Sequence, residues 1–289
     1  MMDILITGTV LGGTYALIAL GLTLQYGVAR IMNLANGENL VLACFCAFWL
    51  YSTASINPVL GIVLIAPGAF VLNWLIYDFA MKPLVNRAKS RGQLEVDSIL
   101  ATFGLMFIMQ GVMLLVFGGG YYSYNFLSEP VQILGENYGL NRIVALTAAA
   151  VIALGLYVFL YRTRYGTAIR AVSVNPSSAS LVAINVERAS AFAFALGGAL
   201  TAAAGALLST FYTFNSSMGV IFTMKALIIV IMGGVGDVRG AVLAALLLGL
   251  TETAVASLID PGLTLAATYT LFILVLLFRP QGIFGRQEA

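Results

Sequence analysis

The sequence predicts an all-α fold, a polytopic bundle of transmembrane helices with about eight or nine membrane segments, some of them short or broken. Three observations predict it. Of 289 residues, 61% are hydrophobic and only 9% are charged, where a soluble domain is usually about 45–50% apolar and roughly a quarter charged. Mean hydropathy is +0.98, and a soluble fold of this length could not hide so much apolar surface behind a charged exterior. The apolar residues come in runs near the roughly 20-residue length that crosses a bilayer. The length suits one polytopic domain over 1–289.

Taken in order, the runs that could span or enter the bilayer lie at 4–29, 36–53, 57–80, 97–118, 141–161, 190–214, 221–236, 238–258 and 262–278. The chain starts MMDILITG, without the basic leader of a cleavable signal, so the first span itself is expected to direct insertion. The second contains Cys44 and Cys46, which point in different directions on a helix and read as buried free thiols. Runs 36–53 and 221–236 fall short of a full crossing. Short, glycine-interrupted segments are how discontinuous helices look in sequence.

Lys and Arg set the orientation. Lys82, Arg87, Lys89 and Arg91 crowd one connection, Arg162, Arg164, Arg170 and Arg188 another, and Arg279 and Arg286 mark the C-terminus. These places are expected to be cytoplasmic. The connection 119–140 carries Glu129 and Glu136 and no basic residue, and is expected outside. The N-terminus then lies outside and the C-terminus inside. Two halves, 1–120 and 141–289, each contain a Gly-rich break, NLANGEN at 33–39 and GGVGDVRG at 233–240. Paired interruptions of this kind point to an inverted repeat with the pathway at the repeat interface. A net charge of +2 gives no basis for nucleic-acid binding, and no cofactor or metal site is expected in a chain without histidine.

Three segments carry the chemistry. In the connection 162–189, Asn175 followed by Pro176 is a strong helix start, since Asn caps free N–H groups and Pro suits the first helical position. Ala179, Leu181, Val182, Ala183 and Ile184 are expected to form a short amphipathic helix ending near Asn185. Such a helix either docks into a groove on a soluble partner or lies on lipid headgroups with arginine anchors. In 221–252, Lys225 and Glu252 interrupt apolar sequence. Each must face protein or a wet cavity and find a partner, as a structural tether or as part of a pathway. Between them Gly233, Gly234, Gly236 and Gly240 let the backbone turn sharply, and Asp237 and Arg239 need water or each other. In 21–43, Gln25, Arg30, Asn33, Asn36, Glu38 and Asn39 form a polar cluster that cannot face lipid. It lies at the cytoplasmic edge or lines a polar cavity.

At these residues the chain resembles a known family, the LivH-type permeases of branched-chain amino acid ABC importers. The resemblance runs through LGGTYALIALGLTLQYGVARIMNLANGE, DSILATFGLMFIMQGVMLLVFG, RYGTAIRAVSVNPSSASLVAINVER, KALIIVIMGGVGDVRGAVLAALLLGLTE and FRPQGIFG, and so covers nearly the whole chain. It implies a coupling loop that seats an ATPase, with Arg170, Asn175, Pro176, Ala179, Leu181, Val182 and Ala183 at the contact. It also implies four kinds of partner: a second homologous permease, two cytoplasmic ATPases, an extracytoplasmic binding protein and the surrounding lipid. Asn33, Asn36, Gly37, Lys225, Gly233, Gly234, Gly236 and Glu252 are the candidate pathway residues. The family usually has His where this chain has Asn36, Gly where it has Ala183, an acidic or amide residue where it has Val174, and small residues or Pro where Asp237 and Arg239 stand. Departures near the pathway bear on the solute. Branched-chain or related amino acids lead, with urea, amides and aromatic acids as alternatives.

The chain has no G-x-x-x-x-G-K-[ST] phosphate loop, so ATP hydrolysis is expected on a separate subunit and the chain itself is not expected to be an enzyme. The rival class is an ion-coupled secondary transporter. The scarcity of carboxylates within the spans, and the lack of histidine, argue against a proton relay.

Overall fold

The computed structural model describes residues 2–88, 90–127, 129–133 and 136–285. Lys89 and Arg286, used above for orientation, lie outside the described residues, as do the side chains of Arg91 and Glu136. Each of the nine apolar runs contains a helix. The chain begins with α1 (Met2–Ala29), α2 (Asn36–Ala54) and α3 (Pro58–Ile76). α3 passes through a π-helical stretch at Tyr77–Met81 into α4 (Lys82–Arg87), and α5 (Arg91–Phe117) follows. A small antiparallel hairpin of β1 (Pro130–Ile133) and β2 (Glu136–Gly139), with Val131 opposite Tyr138, leads to α6 (Leu140–Arg162). After α7 (Arg164–Val174) and α8 (Pro176–Leu181) come α9 (Val186–Leu208), α10 (Gly219–Gly233), α11 (Val238–Leu258) and α12 (Thr264–Phe278). Among the described residues, 7 helices are long and apolar enough to cross a membrane: α1, α3 with α4, α5, α6, α9, α11 and α12.

The elements run between two ends. At the basic end Lys82 pairs with Glu187 at 2.5 Å, tying α4 to the start of α9. At the hairpin end the Tyr51 hydroxyl donates to the Asn125 carbonyl (2.9 Å), and the Asn141 amide donates to the Thr210 carbonyl (2.8 Å). α1 starts at the hairpin end, where Arg142 reaches Thr7 at 3.5 Å. α12 finishes at the basic end, where the Phe284 N–H donates to the Gly233 carbonyl (3.1 Å).

α9 forms the centre. It reads VERASAFAFALGGALTAAAGALL, and most of its length is buried, whereas little of α12 is. Small side chains let helices pack on every side of it, which is how helices associate where lipid gives no hydrophobic drive. α1 runs antiparallel beside it, with Gln25 donating to the Phe194 carbonyl (3.1 Å). α3 and α5 instead turn residues such as Val63, Leu64 and Leu115 outward, an apolar exterior suited to lipid. At the hairpin end Phe45 stacks on Phe117 at 4.2 Å and meets Tyr122 and Phe214 edge-on, closing that end of the core.

Three boundaries differ from the sequence expectation. The run 190–214 breaks at Leu208, because the Ser209 and Thr210 hydroxyls donate to carbonyls three residues back and compete with the helix ladder. The stretch after Arg164, expected as loop, is the helix α7. α8 ends at Leu181 rather than near Asn185: Ala183 adopts a left-handed φ of 61°, and Asn185 accepts from the Arg188 N–H (2.9 Å) as the cap of α9.

Candidate functional site: the meeting of two half-helices

Two crossings of the bundle are broken in opposite senses. α1 ends at the basic end, where Arg30 takes a φ of 58°. The chain then returns into the bundle through residues 30–35 and starts α2 only at Asn36. The depth of that start is fixed by Thr201, whose hydroxyl donates to the Asn36 side-chain oxygen (3.0 Å). Thr201 stands roughly 20 Å along α9 from its basic end at 1.5 Å per residue. In the second half α9 ends at the hairpin end, the chain returns through 209–218, and α10 starts at Gly219 beside Gly37. The N-termini of α2 and α10 therefore meet deep inside the bundle. The counterpart of the break at 30–35 is 209–218, and the glycine turn 233–240 is instead the link between α10 and α11.

α5 anchors both returning strands. Thr102 accepts from the Leu34 N–H (3.1 Å) and donates to the Met32 carbonyl (3.0 Å), while Ser98 accepts from the Met32 N–H (3.3 Å). At the other end of α5, Ser216 donates to the Gly118 carbonyl (3.0 Å), and Tyr122 and Phe214 exchange backbone bonds of 2.8 and 3.0 Å.

The junction is polar and fully buried. Asn33 donates to Gln25 (3.1 Å) and accepts from the Ala35 N–H (3.0 Å), which shapes the entry to α2. The Gly37 N–H donates to the Thr223 hydroxyl (2.8 Å), which itself donates to the Leu34 carbonyl (3.1 Å). Glycine is required at 37 and 219 because a Cβ at Gly37 would run into the Gly219 carbonyl, and one at Gly219 into the Glu38 carboxylate. Asn39 and Asn73 exchange amide bonds of 3.2 and 3.3 Å. Of the polar cluster of 21–43, Gln25, Asn33, Asn36, Glu38 and Asn39 thus lie buried within the protein, while Arg30 stands at the basic end.

Lys225 and Glu252 do find each other, at 2.8 Å and with side chains 12% and 5% exposed. Lys225 also donates to the Tyr15 hydroxyl (2.8 Å), Tyr15 donates to Glu252 (2.8 Å), and Thr268 donates to its other oxygen (2.6 Å). The network joins α1, α10, α11 and α12, and every charged atom in it is satisfied. Gly233, Gly234 and Gly236 stand apart at the basic end. Gly234, at φ 104°, ends α10 where the Ile283 and Phe284 N–H groups bond to Met232 and Gly233. Asp237 does not bond Arg239's guanidinium: it caps α11, accepting from the Arg239 and Gly240 N–H groups, while Arg239 donates to Tyr157 (3.2 Å). The expected pathway residues therefore fall in three places, of which only Asn33, Asn36 and Gly37 lie at the junction. Glu38, beside them, was outside the expected pathway set, although its place in a polar run within apolar sequence was a visible signal.

At the basic end Asn175 caps α8 by accepting from the Ser178 N–H (3.1 Å), with Pro176 in the first turn. Ala179 is buried, whereas Val174, Leu181 and Val182 are 74%, 86% and 69% exposed. Arg170 is turned inward, donating to the Leu160 carbonyl (2.9 Å) and lying 4.6 Å over the Tyr161 ring. Arg30 donates to the Ser173 carbonyl (3.1 Å), which links α7 to the return strand 30–35.

Residues 4–278 match the family described as the permease component of branched-chain amino acid transport systems. The LivH permease protein of the high-affinity branched-chain amino acid transport system of Escherichia coli K12 is 30% identical over 97% of this chain and 94% of its own. The corresponding BraD protein of Pseudomonas aeruginosa is 29% identical over 98% and 95%. The ribose import permease protein RbsC of Haemophilus influenzae is 26% identical over 83% and 73%. No solved structure gives a significant match.

Proposed function

The chain belongs to the permease family of branched-chain amino acid transport systems, and from that premise we propose that it imports a branched-chain or closely related amino acid with two separate ATPase subunits as its engine. A second permease of the same kind and an extracytoplasmic binding protein complete the assembly. The basic end faces the cytoplasm and the hairpin end faces outward, which places the N-terminus outside and the C-terminus inside a bacterial inner membrane.

The observation that carries the reading is the exposed apolar trio Val174, Leu181 and Val182, on the segment between α6 and α9 at the basic end. Apolar side chains held outside the spans on a capped short helix suit a groove on a soluble partner. Arg170 and Ala179 support that surface from within, and Asn175, Pro176 and Ala183 fix where it starts and turns. The segment is tied to the bundle through Arg30 and Ser173, so its displacement reaches the strand 30–35 and the start of α2. ATP can shift the bundle between outward- and inward-facing states only by binding one of them better, and this link gives the ATPases a lever on the junction.

The test is uptake into vesicles holding both permeases, the ATPases and the binding protein. L-leucine uptake is expected to require ATP on the ATPase side. The Leu181→Asp/Val182→Asp variant is expected to insert normally yet lose about tenfold or more in uptake and in ATPase co-purification, as truncation of a docking anchor does. Uptake driven by an ion gradient without ATPases would establish the secondary-transporter rival. Import of urea or an aromatic acid in place of leucine would move the solute to those alternatives.

A further inference from the structure

The junction holds more polar capacity than the fold uses. Among the described residues, the buried side-chain atoms without a hydrogen-bond partner are Thr23 Oγ1, Arg30 Nε, Asn36 Nδ2 and both carboxylate oxygens of Glu38. Glu38 and Asn36 are 0% exposed. A buried carboxylate with both oxygens idle is costly, and such groups persist where a ligand completes them.

The surroundings say what kind of ligand. The Glu38 carboxylate lies against Gly219, the first residue of α10, which has no side-chain cap. Glu38 is itself in the first turn of α2. The N-termini of two helices, one of 19 residues and one of 15, therefore converge on it; their dipoles offset part of the cost of its burial but give it no hydrogen-bond partner, and they would not themselves attract a cation, so only the carboxylate can. The side chains bonded into the junction beside it, Asn36, Thr201 and Thr223, are neutral. One carboxylate among neutral acceptors and donors suits a single positive charge with several N–H donors, whereas a divalent metal needs more oxygen ligands and more negative charge. In the present arrangement Gly37 and Gly219 touch, so the carboxylate becomes reachable only when the ends of α2 and α10 part. Half-helix ends meeting inside a bundle are where transporters of broken-helix design handle their solutes.

We propose that Glu38 receives the ammonium group of the passing amino acid when the N-termini of α2 and α10 separate. The inference rests on the amino-acid cargo proposed above and adds the group that touches it. A merely structural Glu38 would be silent in the following pair of measurements.

In the complete assembly, Glu38→Gln is expected to retain ATPase binding and ATP hydrolysis while L-leucine uptake falls about tenfold or more, with Glu38→Asp recovering part of it. In wild type, a water-soluble carbodiimide is expected to modify Glu38, located by peptide mass, in at least one of the nucleotide-free and vanadate-trapped states. Millimolar L-leucine is expected to slow that modification severalfold. Uptake by Glu38→Gln within about twofold of wild type overturns the proposal, as does modification in neither state or modification that leucine does not slow. Failure of both Glu38→Gln and Glu38→Met to assemble also overturns it, by making the carboxyl a folding element. If wild type itself imports no leucine, the cargo reading falls and this site falls with it. If wild type imports leucine and Glu38→Gln does so equally well, only the site falls.

Discussion

Two buried polar clusters share α10, and they are built on opposite terms. Around Lys225 the charges are complete: Glu252, Tyr15 and Thr268 supply a partner for each charged atom, and four helices meet there. Around Gly219, less than two turns earlier, Glu38 and Asn36 are just as buried and keep idle atoms. A satisfied network fixes one packing, because any displacement leaves a charge alone in a medium that cannot solvate it. An unsatisfied cluster does not hold its neighbours in this way, and its helix ends are joined through the Gly37 N–H and Thr223. The contrast is the one expected if the Lys225 cluster holds the bundle and the Glu38 cluster belongs to a part that moves.

The comparison is broken most directly by removing one charge from the complete network. Lys225→Met leaves Glu252 buried and unpaired, which is expected to cost about 3–5 kcal/mol, as breaking a buried ion pair does. Lys225→Met/Glu252→Met should recover most of that loss. Glu38→Gln removes a buried acid that already lacks partners, so stability should be unchanged or rise rather than fall. Thermal unfolding of the purified protein in detergent reads all three, and equal losses at Lys225 and Glu38 would end the distinction.

A smaller change sharpens it. Thr268→Val keeps the volume and removes the donor to the second Glu252 oxygen, at 2.6 Å. A hydrogen bond to a charged group is worth about 1.5–3 kcal/mol, and the unfolding temperature should fall accordingly. Transport measured well below that temperature should be nearly unchanged, since a clamp needs to be closed rather than to act. A loss of uptake without a loss of stability would place Thr268 and Glu252 in the pathway instead.

The sequence made the clamp legible and the junction only half so. Lys225 and Glu252 stood out because ionisable groups are rare in apolar runs, and the demand for a partner led directly to their pairing. The nine apolar runs likewise follow from composition and length. The second break did not stand out: 190–214 is apolar throughout, and Leu208 ends α9 through local hydroxyl bonds rather than through Gly or Pro. Glycines are densest at 233–240 instead, where only a turn between α10 and α11 is made. Glu38 was visible as part of a polar run. Its packing against Gly219, some 180 residues away in the chain, is not something that spacing within one segment can reveal.

The finest test addresses Thr223, a side chain that bridges the two half-helix ends. Thr223 accepts from the Gly37 N–H and donates to the Leu34 carbonyl, so it caps α2 from α10. Thr223→Val preserves shape and leaves both backbone groups idle, which should cost about 1–2 kcal/mol. The direction of the transport effect separates two accounts of this bond. If the bond is a latch that opens in each cycle, weakening it favours the parted state, and ATP hydrolysis without binding protein should rise while coupled leucine uptake falls. If it is only a cap that stays closed, stability falls and the ratio of uptake to ATP hydrolysis is unchanged. The placement of idle atoms at Glu38 and Asn36 on one side of this bond, and of a complete ion-pair network on the other, favours the latch.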